Sequence, residues 1–418
     1  MNRTILVHLT VGAKAQADAS ESMAELEGLA KAAGARVIRK VFQTRAAAVA
    51  RTLIGLGKVE EIKTLRAETD ADLILFDQDL KPSQQRSLED ALESRVIDRT
   101  QLILDIFARR AHSNEGKLQV ELAQLSYLLP RLTGKGKALS RLGGGIGTRG
   151  PGETKLETDR RRIESRIVII KRELRAVAKR RAGQRRSRKE SLVPTVALVG
   201  YTSVGKSTLF NRLAGESAFT SPQLFATLDP LVRRTALPDG LPYFLSDTVG
   251  FVKRLPPALL ASFKATLEEV LESDLILHVV DLAAANAEAQ AEAVIKTLAE
   301  IGARGIPMIR VNNKIDLLPD RAALLLRNET PDGDLAVSAA TGEGLPALKN
   351  RVRSLLFREL RLFYIRVPHG REDIWASLPK RGLILQRRES ADYHEARIMA
   401  DPAHLLDLAA YLVTGEPT

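Results

Sequence analysis

The chain has 418 residues, 44% of them hydrophobic and 27% charged, which is enough for two to four globular domains. It contains no cysteine, and this excludes disulfides, thiolate metal sites and a cysteine nucleophile. Its longest apolar runs have the length of strands and fall well short of the ~20 residues of a membrane span. We expect a cytoplasmic monomer and leave a transient membrane association open.

The net charge of +12 is concentrated in one part of the chain. Residues 131–152 hold five basic residues and no acidic one, and residues 153–190 hold fifteen basic and six acidic residues. These two segments together carry a net charge of +14, so the rest of the chain is nearly neutral, at −2. Such a local concentration indicates a dedicated contact with an anionic partner.

Residues 1–110 alternate short apolar runs with helical patterns, which predicts an N-terminal α/β subdomain with a mostly parallel sheet. The predicted strands are residues 5–9, 36–42 and 72–77, and the predicted helices are residues 18–34, 58–68 and 82–92. The motif Gly-Leu-Gly-Lys at residues 55–58 lacks the spacing of a phosphate loop. We interpret it as the start of a helix in preference to a phosphate site.

Residues 111–190 contain two helical stripes and no strand pattern. One stripe repeats leucines at spacings of four and three over residues 118–129, and the other extends over residues 156–177. The two stripes predict an antiparallel helical hairpin whose tip, residues 131–152, holds eight glycines. The segment 182–194 is predicted to end the second helix.

The tip contains Gly145, Gly147 and Gly150, which match the G-x-G-x-x-G pattern of dinucleotide sites. That pattern binds a nucleotide only when it follows a strand and opens a helix. Here the preceding residues are not strand-like, and Pro151 follows the last glycine. A dinucleotide site is therefore not expected at the tip.

Strands and helices alternate again over residues 191–360, and residues 361–418 form a small C-terminal α+β domain. In this last domain the predicted order is strand, helix, strand, strand, helix, with the final helix over residues 404–412. The full prediction is an α/β protein of four domains, with boundaries at 1–110, 111–190, 191–360 and 361–418.

A phosphate loop, or P-loop, lies at residues 200–208, between an apolar strand and a helix. Its glycines let backbone N–H groups approach the phosphates, Lys206 bridges the β- and γ-phosphates, and the Ser207 hydroxyl binds Mg²⁺. The predicted nucleotide-binding residues of this loop are Gly200, Tyr201, Thr202, Ser203, Val204, Gly205, Lys206, Ser207 and Thr208.

Two later motifs identify the base and complete the site. Asn313, Lys314, Ile315 and Asp316 follow a strand, and an aspartate at this place accepts from the N1–H and the exocyclic amine of guanine, a donor pair that adenine lacks. The expected nucleotides are therefore GTP and GDP. Ser338, Ala339 and Ala340 lie where a backbone N–H would meet the guanine O6, although a plain strand end is the alternative.

The segment Asp247, Thr248, Val249 and Gly250 closes a strand. We expect Asp247 to reach Mg²⁺ through a water molecule and Gly250 to donate its N–H to the γ-phosphate. Thr227, within Phe225, Ala226, Thr227, Leu228 and Asp229, is the candidate switch residue that joins Mg²⁺ only when a γ-phosphate is bound. An ordinary loop residue is the alternative. Lys206, Thr227 and Gly250 are the residues predicted to act in hydrolysis.

The residue after Gly250 is Phe251, where many small GTPases have a glutamine that orients the attacking water. A phenylalanine cannot orient water, so we expect slow hydrolysis by the isolated protein. His278 lies inside an apolar strand and is expected to be a core residue that does not replace the glutamine.

Taken together, these motifs resemble the HflX family of translation-associated GTPases. The resemblance covers residues 1–360 and rests on the phosphate loop, on LFATLDP and DTVGFV, on EGKLQVELAQL and VIDRTQLILDIFARRA, and on GGGIGTRGPGETKLETDRR at the tip. It implies a partner in the large ribosomal subunit and a role in splitting stalled or idle ribosomes. Where the family often has a lysine in its last motif, this chain has Ala340, so no lysine stem stacks on the base.

With this resemblance, the basic segment 131–190 is interpreted as the part that contacts 23S rRNA. The predicted contacts at the tip are Arg131, Lys135, Lys137, Arg141 and Arg149, and a solvated loop is the alternative. Two other functions stay open: an rRNA-remodelling or ribosome-assembly GTPase, and a nucleotide-gated adaptor for a protease.

Overall fold

The computed structural model describes residues 2–12, 16–132, 151–190, 192–215, 231–248, 250–251, 269–326, 328 and 333–413. The chain divides into two units, and among the described residues the first ends at Arg175 and the second begins at Ala176. No helix among these described ranges is long and apolar enough to cross a membrane.

The first unit contains a parallel sheet, as the alternating pattern predicts, with a fourth strand, Arg95–Asp98, beyond the three that are predicted. Its strands are β1 (Arg3–Val11), β2 (Arg36–Arg45), β3 (Leu73–Phe76) and β4 (Arg95–Asp98), in the order β2-β1-β3-β4. Its helices are α1 (Gln16–Ala32), α2 (Leu56–Thr69), α3 (Pro82–Leu92) and α4 (Arg99–Arg110). All four residues of β3 are buried, as expected for a strand with both faces covered. Gly55 caps α2, which agrees with a helix start there.

A buried ionic network lies at the carboxyl end of β3. Asp77, only 1% exposed, accepts hydrogen bonds from Ser22 Oγ at 2.6 Å and Arg99 Nη1 at 2.8 Å, and lies 2.8 Å from His8 Nδ1. Arg99 also bonds Glu25. Burial alone would raise the pKa of Asp77, but His8 and Arg99 lower it to about 2. The network thus joins α1, β1 and α4 through charges that water does not reach.

The hairpin region is helical, as predicted. It consists of α5 (Asn114–Leu132) and α6 (Pro151–Glu190), which Arg166 joins by two hydrogen bonds to Glu121, at 2.7 and 2.8 Å. The second helix ends at Glu190, inside the segment 182–194 where its end is predicted, although Gly183 itself does not break it. One glycine, Gly183, costs only about 1 kcal/mol in a helix, and the arginine-rich residues after it favour helix.

Arg131, at the end of α5, makes intramolecular contacts. Its guanidinium donates to the Leu80 carbonyl at 2.7 Å, to Gln85 Oε1 at 3.1 Å and to Asp98 Oδ2 at 3.2 Å, and it lies over the Tyr127 ring at 3.4 Å. In this conformation Arg131 therefore fastens α5 to the N-terminal sheet, and its contact with rRNA stays a prediction. The other four predicted tip contacts lie outside the described residues.

The second unit begins with a six-stranded sheet. Its strands are β5 (Thr195–Gly200), β6 (Leu231–Ala236), β7 (Pro242–Asp247), β8 (Leu275–Asp281), β9 (Met308–Asn313) and β10 (Leu335–Ala336). The order is β10-β9-β8-β5-β7-β6, and every neighbouring pair is parallel except β6 with β7. The helices are α7 (Lys206–Ala214), α8 (Ala287–Ile301), α9 (Arg321–Leu326) and α10 (Leu345–Leu356). The parallel central strands direct their carboxyl ends to one edge, where ligands bind in such folds.

The C-terminal part has its own antiparallel sheet and its own core. The strands are β11 (Arg361–Pro368), β12 (Gly382–Glu389), β13 (Tyr393–Ala400) and β14 (Leu412–Val413), in the order β12-β13-β11-β14, with helix α11 (Glu372–Ser377) between β11 and β12. The buried core includes Ile365, Val367, Ile374 and Ile398. This matches the predicted α+β domain, but the boundaries of the four domains stay a prediction.

The last predicted helix is present and is of the 3₁₀ type, Pro402–Tyr411. At its start the Asp401 side chain accepts from the Ala403 N–H at 2.8 Å, and His404 N donates to the Asp401 carbonyl three residues back. This side-chain cap and Pro402 set the tighter i→i+3 pattern from the first turn. Hydrophobic spacing alone does not distinguish the two helix types.

Replacement of Arg99 by leucine should destabilise the first unit by about 3–5 kcal/mol, because Asp77 and Glu25 would be left buried without their cation. Hydrogen exchange of the β1 and β3 amides in the full-length protein would measure this loss. Lys63→Met is the matched control, since it removes a surface ion pair with Glu93 and should leave exchange unchanged. Equal exchange in the two variants would contradict the role of Arg99.

Candidate nucleotide-binding site

The P-loop connects β5 to α7 and requires glycine at both ends. A Cβ at Gly200 would lie 2.3 Å from the Val279 carbonyl oxygen, and one at Gly205 would lie 2.3 Å from Asn313 Nδ2. Gly205 also has a φ of 95°, and Ser203 adopts a φ of 62°. The loop therefore adopts a backbone conformation that glycine permits at these two positions and that most other residues would not.

Lys206 is held under this loop. Its ammonium donates to the carbonyls of Gly200 at 3.0 Å and Tyr201 at 2.7 Å, and the residue is only 6% exposed. Burial lowers the pKa of Lys206 to about 8, while the charge of Asp247 acts in the opposite direction. A buried cation whose hydrogen bonds go to neutral carbonyls is well suited to receive an anionic phosphate.

The candidate Mg²⁺ ligands lie beside Lys206. Ser207 Oγ donates to Asp247 Oδ2 at 2.8 Å, which joins the first turn of α7 to the end of β7. Thr202 Oγ1 is buried and has no hydrogen-bond partner among the described residues. Hydroxyl and carboxylate oxygens are the ligands that Mg²⁺ prefers, so Ser207 and Asp247 fit the metal. Thr208 follows on the same helix turn.

The chain after β7 packs directly on the P-loop. Phe251 N donates to the Gly200 carbonyl at 3.1 Å, and Thr202 N donates to the Phe251 carbonyl at 2.8 Å. A Cβ at Gly250 would lie 3.0 Å from Thr202 Cα and 3.3 Å from Lys206 Nζ. Gly250 therefore lies next to Lys206, the predicted phosphate-binding cation. Thr248 is buried and donates to the Leu198 carbonyl at 2.6 Å.

The predicted base-binding motifs also come together. Asn313 Nδ2 donates to the Val204 carbonyl at 2.8 Å, and its Oδ1 accepts from Ala339 N at 2.9 Å. Ser338 Oγ donates to Asp316 Oδ1 at 2.6 Å and so orients the carboxylate that was predicted to bind guanine. A short 3₁₀ helix, Ile315–Leu317, holds Asp316 directly after β9. One carboxylate oxygen is thus fixed by the protein.

Sequence reasoning missed two residues of this site. Arg212 donates to the carbonyls of Ala339 at 3.2 Å and Ala340 at 2.5 Å, which fixes the loop after β10. Asp281 pairs with Lys314 Nζ at 2.7 Å and supports a left-handed backbone at Lys314, with a φ of 66°. No local pattern identifies Arg212, because its partners lie 127 and 128 residues away. Asp281 carries a weak signal as the polar end of a buried strand.

Six of the predicted nucleotide-site residues belong to segments outside the described part of the chain. The structure does not describe the predicted switch segment, which consists of Phe225, Ala226, Thr227, Leu228 and Asp229, nor does it describe Val249. His278 is in the core at 1% exposed, as predicted, and burial lowers its pKa to about 4. A neutral buried ring on β8 has no access to a reacting phosphate.

The affinity for a nucleoside triphosphate should fall as the pH rises above about 8, because the cation of Lys206 is lost through its lowered pKa while the phosphates stay anionic. The decrease approaches tenfold per pH unit, about 1.4 kcal/mol. Equilibrium binding of a fluorescent nucleotide from pH 7 to pH 9 would measure it. The Lys206→Arg variant controls for ionisation of the nucleotide itself, since arginine stays protonated. Parallel pH profiles in the two proteins would refute the assignment to Lys206.

Family models and a solved structure match large parts of the chain. Family models described as "GTP-binding GTPase N-terminal", "GTP-binding GTPase Middle Region" and "50S ribosome-binding GTPase" match residues 20–108, 110–188 and 195–314. A crystal structure of a GTP-binding protein from the archaeon Sulfolobus solfataricus in complex with GDP is 24% identical, with 85% of this chain and 99% of that chain covered and a TM-score of 0.43.

Two bacterial relatives are much more similar in sequence. GTPase HflX of Alkalihalophilus pseudofirmus is 51% identical over 336 residues, which are 80% of this chain and 78% of the relative. GTPase HflX of Escherichia coli is 45% identical over 367 residues, which are 88% of this chain and 85% of the relative. The chain therefore belongs to the HflX family and is a GTPase.

Proposed function

We propose that the protein binds the large ribosomal subunit in its GTP-bound form and promotes separation of the ribosomal subunits. The observation that carries this proposal is the net charge of +14 within residues 131–190, in a chain whose remainder is nearly neutral. Contact with rRNA phosphates needs such a local excess of cations. The family model described as a 50S ribosome-binding GTPase, which matches residues 195–314, supports the large subunit as the partner.

The described part of α6 displays much of this charge. Its exposed basic side chains are Arg160, Arg161, Arg162, Lys171, Arg172, Arg175, Lys179 and Arg180. Glu164 and Glu157 pair with two of them on the same helix, and exposed pairs of this kind are weak. A polyanion can therefore compete for these cations at little cost. The absence of aromatic residues at the tip, residues 131–152, favours phosphate and shape recognition over base stacking.

For hydrolysis, the proposal gives each site residue a separate task. Lys206 binds the β- and γ-phosphates, and the Gly250 N–H donates to the γ-phosphate. Ser207, and Asp247 through a water, would hold Mg²⁺, which neutralises charge that develops on the phosphates. Thr227 would join the metal only in the triphosphate state and so report which nucleotide is bound.

Guanine selectivity in this proposal rests on Asp316. Its carboxylate, already oriented by Ser338, accepts from the N1–H and the exocyclic amine of the base. Asp316→Asn should weaken GTP binding about 100-fold, since two hydrogen bonds to a charged group are lost at roughly 1.5 kcal/mol each. The same variant should gain affinity for xanthosine triphosphate, whose C2 carbonyl accepts from the new amide. Competition binding with both nucleotides checks this, and unchanged preference for GTP would exclude Asp316 as the base reader.

The isolated protein should hydrolyse GTP slowly, and large subunits should stimulate it strongly. Changing Lys135, Lys137, Arg141 and Arg149 together to glutamine should reduce that stimulation and the co-sedimentation with large subunits, because four phosphate contacts are lost. The measurement is GTP turnover with and without purified large subunits at two salt concentrations. The salt dependence of binding should become less steep in the variant.

The matched control changes four exposed basic residues that lie far from the tip in sequence, Arg39, Arg95, Lys296 and Arg304, to glutamine. It removes the same net charge but should keep the stimulation. Equal losses in the two variants would mean that total charge, and not the tip, attracts the ribosome. If large subunits neither bind nor stimulate the wild type, the ribosomal proposal fails, and activity on naked RNA becomes the next measurement.

A further inference from the structure

Three side chains of the C-terminal sheet form a cluster of metal-binding type. His369, Glu372 and His394, here called the C-terminal histidine cluster, each offer one ligand atom, and these atoms lie within 4.8 Å of one another. It is the one such group of at least three histidine, aspartate or glutamate residues among the described residues. Neither GTP hydrolysis nor RNA contact accounts for it.

The backbone brings these three residues together. Val367, near the end of β11, pairs with His394 on β13, and just beyond that strand His369 N donates to the Asp392 carbonyl at 3.1 Å. Helix α11 then begins at Glu372, so its first side chain returns toward β13. Strand pairing and a helix start therefore fix the cluster, and it does not depend on a loose loop.

Hydrogen bonds orient both imidazole rings. His369 Nε2 lies 3.0 Å from the Ser390 carbonyl oxygen, which can only accept, so Nε2 carries the proton and Nδ1 keeps its lone pair. His394 Nε2 lies 3.0 Å from Glu372 Oε1, and its Nδ1 lies 3.8 Å from Glu389 Oε1. His394 thus has a carboxylate near each ring nitrogen, Glu372 at hydrogen-bond distance and Glu389 farther away, and carboxylates beside the ring are typical of histidines that bind metal ions.

Aromatic packing holds His394 in place. The indole of Trp375, the single tryptophan of the chain, stacks on His394 with centroids 4.9 Å apart and planes at 20°. The His369 and His394 rings are 4.3 Å apart, and the His394 side chain is only 13% exposed. Ligands that are already immobilised lose little conformational entropy when an ion binds.

We propose that the C-terminal histidine cluster binds one divalent transition-metal ion, of which zinc is the best match. Two imidazole nitrogens and one carboxylate oxygen are a donor set of zinc sites that leaves one position for water. Mg²⁺ and Ca²⁺ prefer oxygen donors and would not compete well. The proposal is independent of the ribosomal function, since it concerns a different sheet from the one that carries the P-loop.

The test uses tag-free, full-length, nucleotide-free protein from which metal has been stripped, titrated with zinc against a chromophoric chelator. Excess Mg²⁺ is present to occupy Ser207 and Asp247. One zinc ion should bind per chain, and binding should raise the melting temperature of the C-terminal transition. His394→Gln and Glu372→Gln should each weaken zinc binding about tenfold or more.

His404→Gln is the matched control, because His404 is an exposed histidine of the same domain that lies outside the cluster. It should bind zinc like the wild type. Glu372 has a side chain that is 66% exposed, so Glu372→Gln should fold normally, and circular dichroism would check this. The proposal fails if Glu372→Gln and His394→Gln bind zinc as tightly as the wild type, or if His404→Gln loses as much affinity as they do.

Discussion

The carboxamide of Asn313 joins the two ends of the nucleotide site. It donates to the Val204 carbonyl of the P-loop and accepts from Ala339 N in the loop after β10, so one side chain connects segments 109 and 26 residues away. The same carboxamide occupies the space beside Gly205 that any Cβ would fill. The phosphate end and the base end can therefore keep a fixed separation, and that separation is what allows a single nucleotide to contact both.

The parts of this site that the sequence predicts are those with local signals. The P-loop and the Asn313–Asp316 motif each need a few residue types at fixed spacing after a strand, and this can be read without knowledge of the fold. Arg212 carries no such signal and Asp281 only a weak one, because their roles depend on strands that meet only in the folded sheet. The sequence does not predict the C-terminal histidine cluster for the same reason, because antiparallel pairing alone makes Val367 and His394 neighbours.

Local details of the helices carry a weaker signal. The segment 182–194, which is predicted to end the second helix, contains its last residue, Glu190, but the glycine near the start of that segment does not break the helix. The final helix is of the 3₁₀ type, which depends on the cap at Asp401 more than on hydrophobic spacing. The strands that the sequence predicts rest on the burial of whole apolar runs, as in β3 and β8, which a single residue cannot change. The short strand β4 carries no such run and is not among them.

The position of Phe251 limits how the active site can be completed. Its backbone pairs on both sides with the P-loop, at the Gly200 carbonyl and the Thr202 N–H, and its side chain is only 3% exposed. A glutamine at this position would inherit the same buried direction, so in this conformation its amide would not reach a water beside the γ-phosphate. The missing orientation is thus a matter of backbone geometry as well as of residue type. Under the proposed function, the group that orients the water comes from another segment or from a partner, and this couples contact with the ribosome to the rate of hydrolysis.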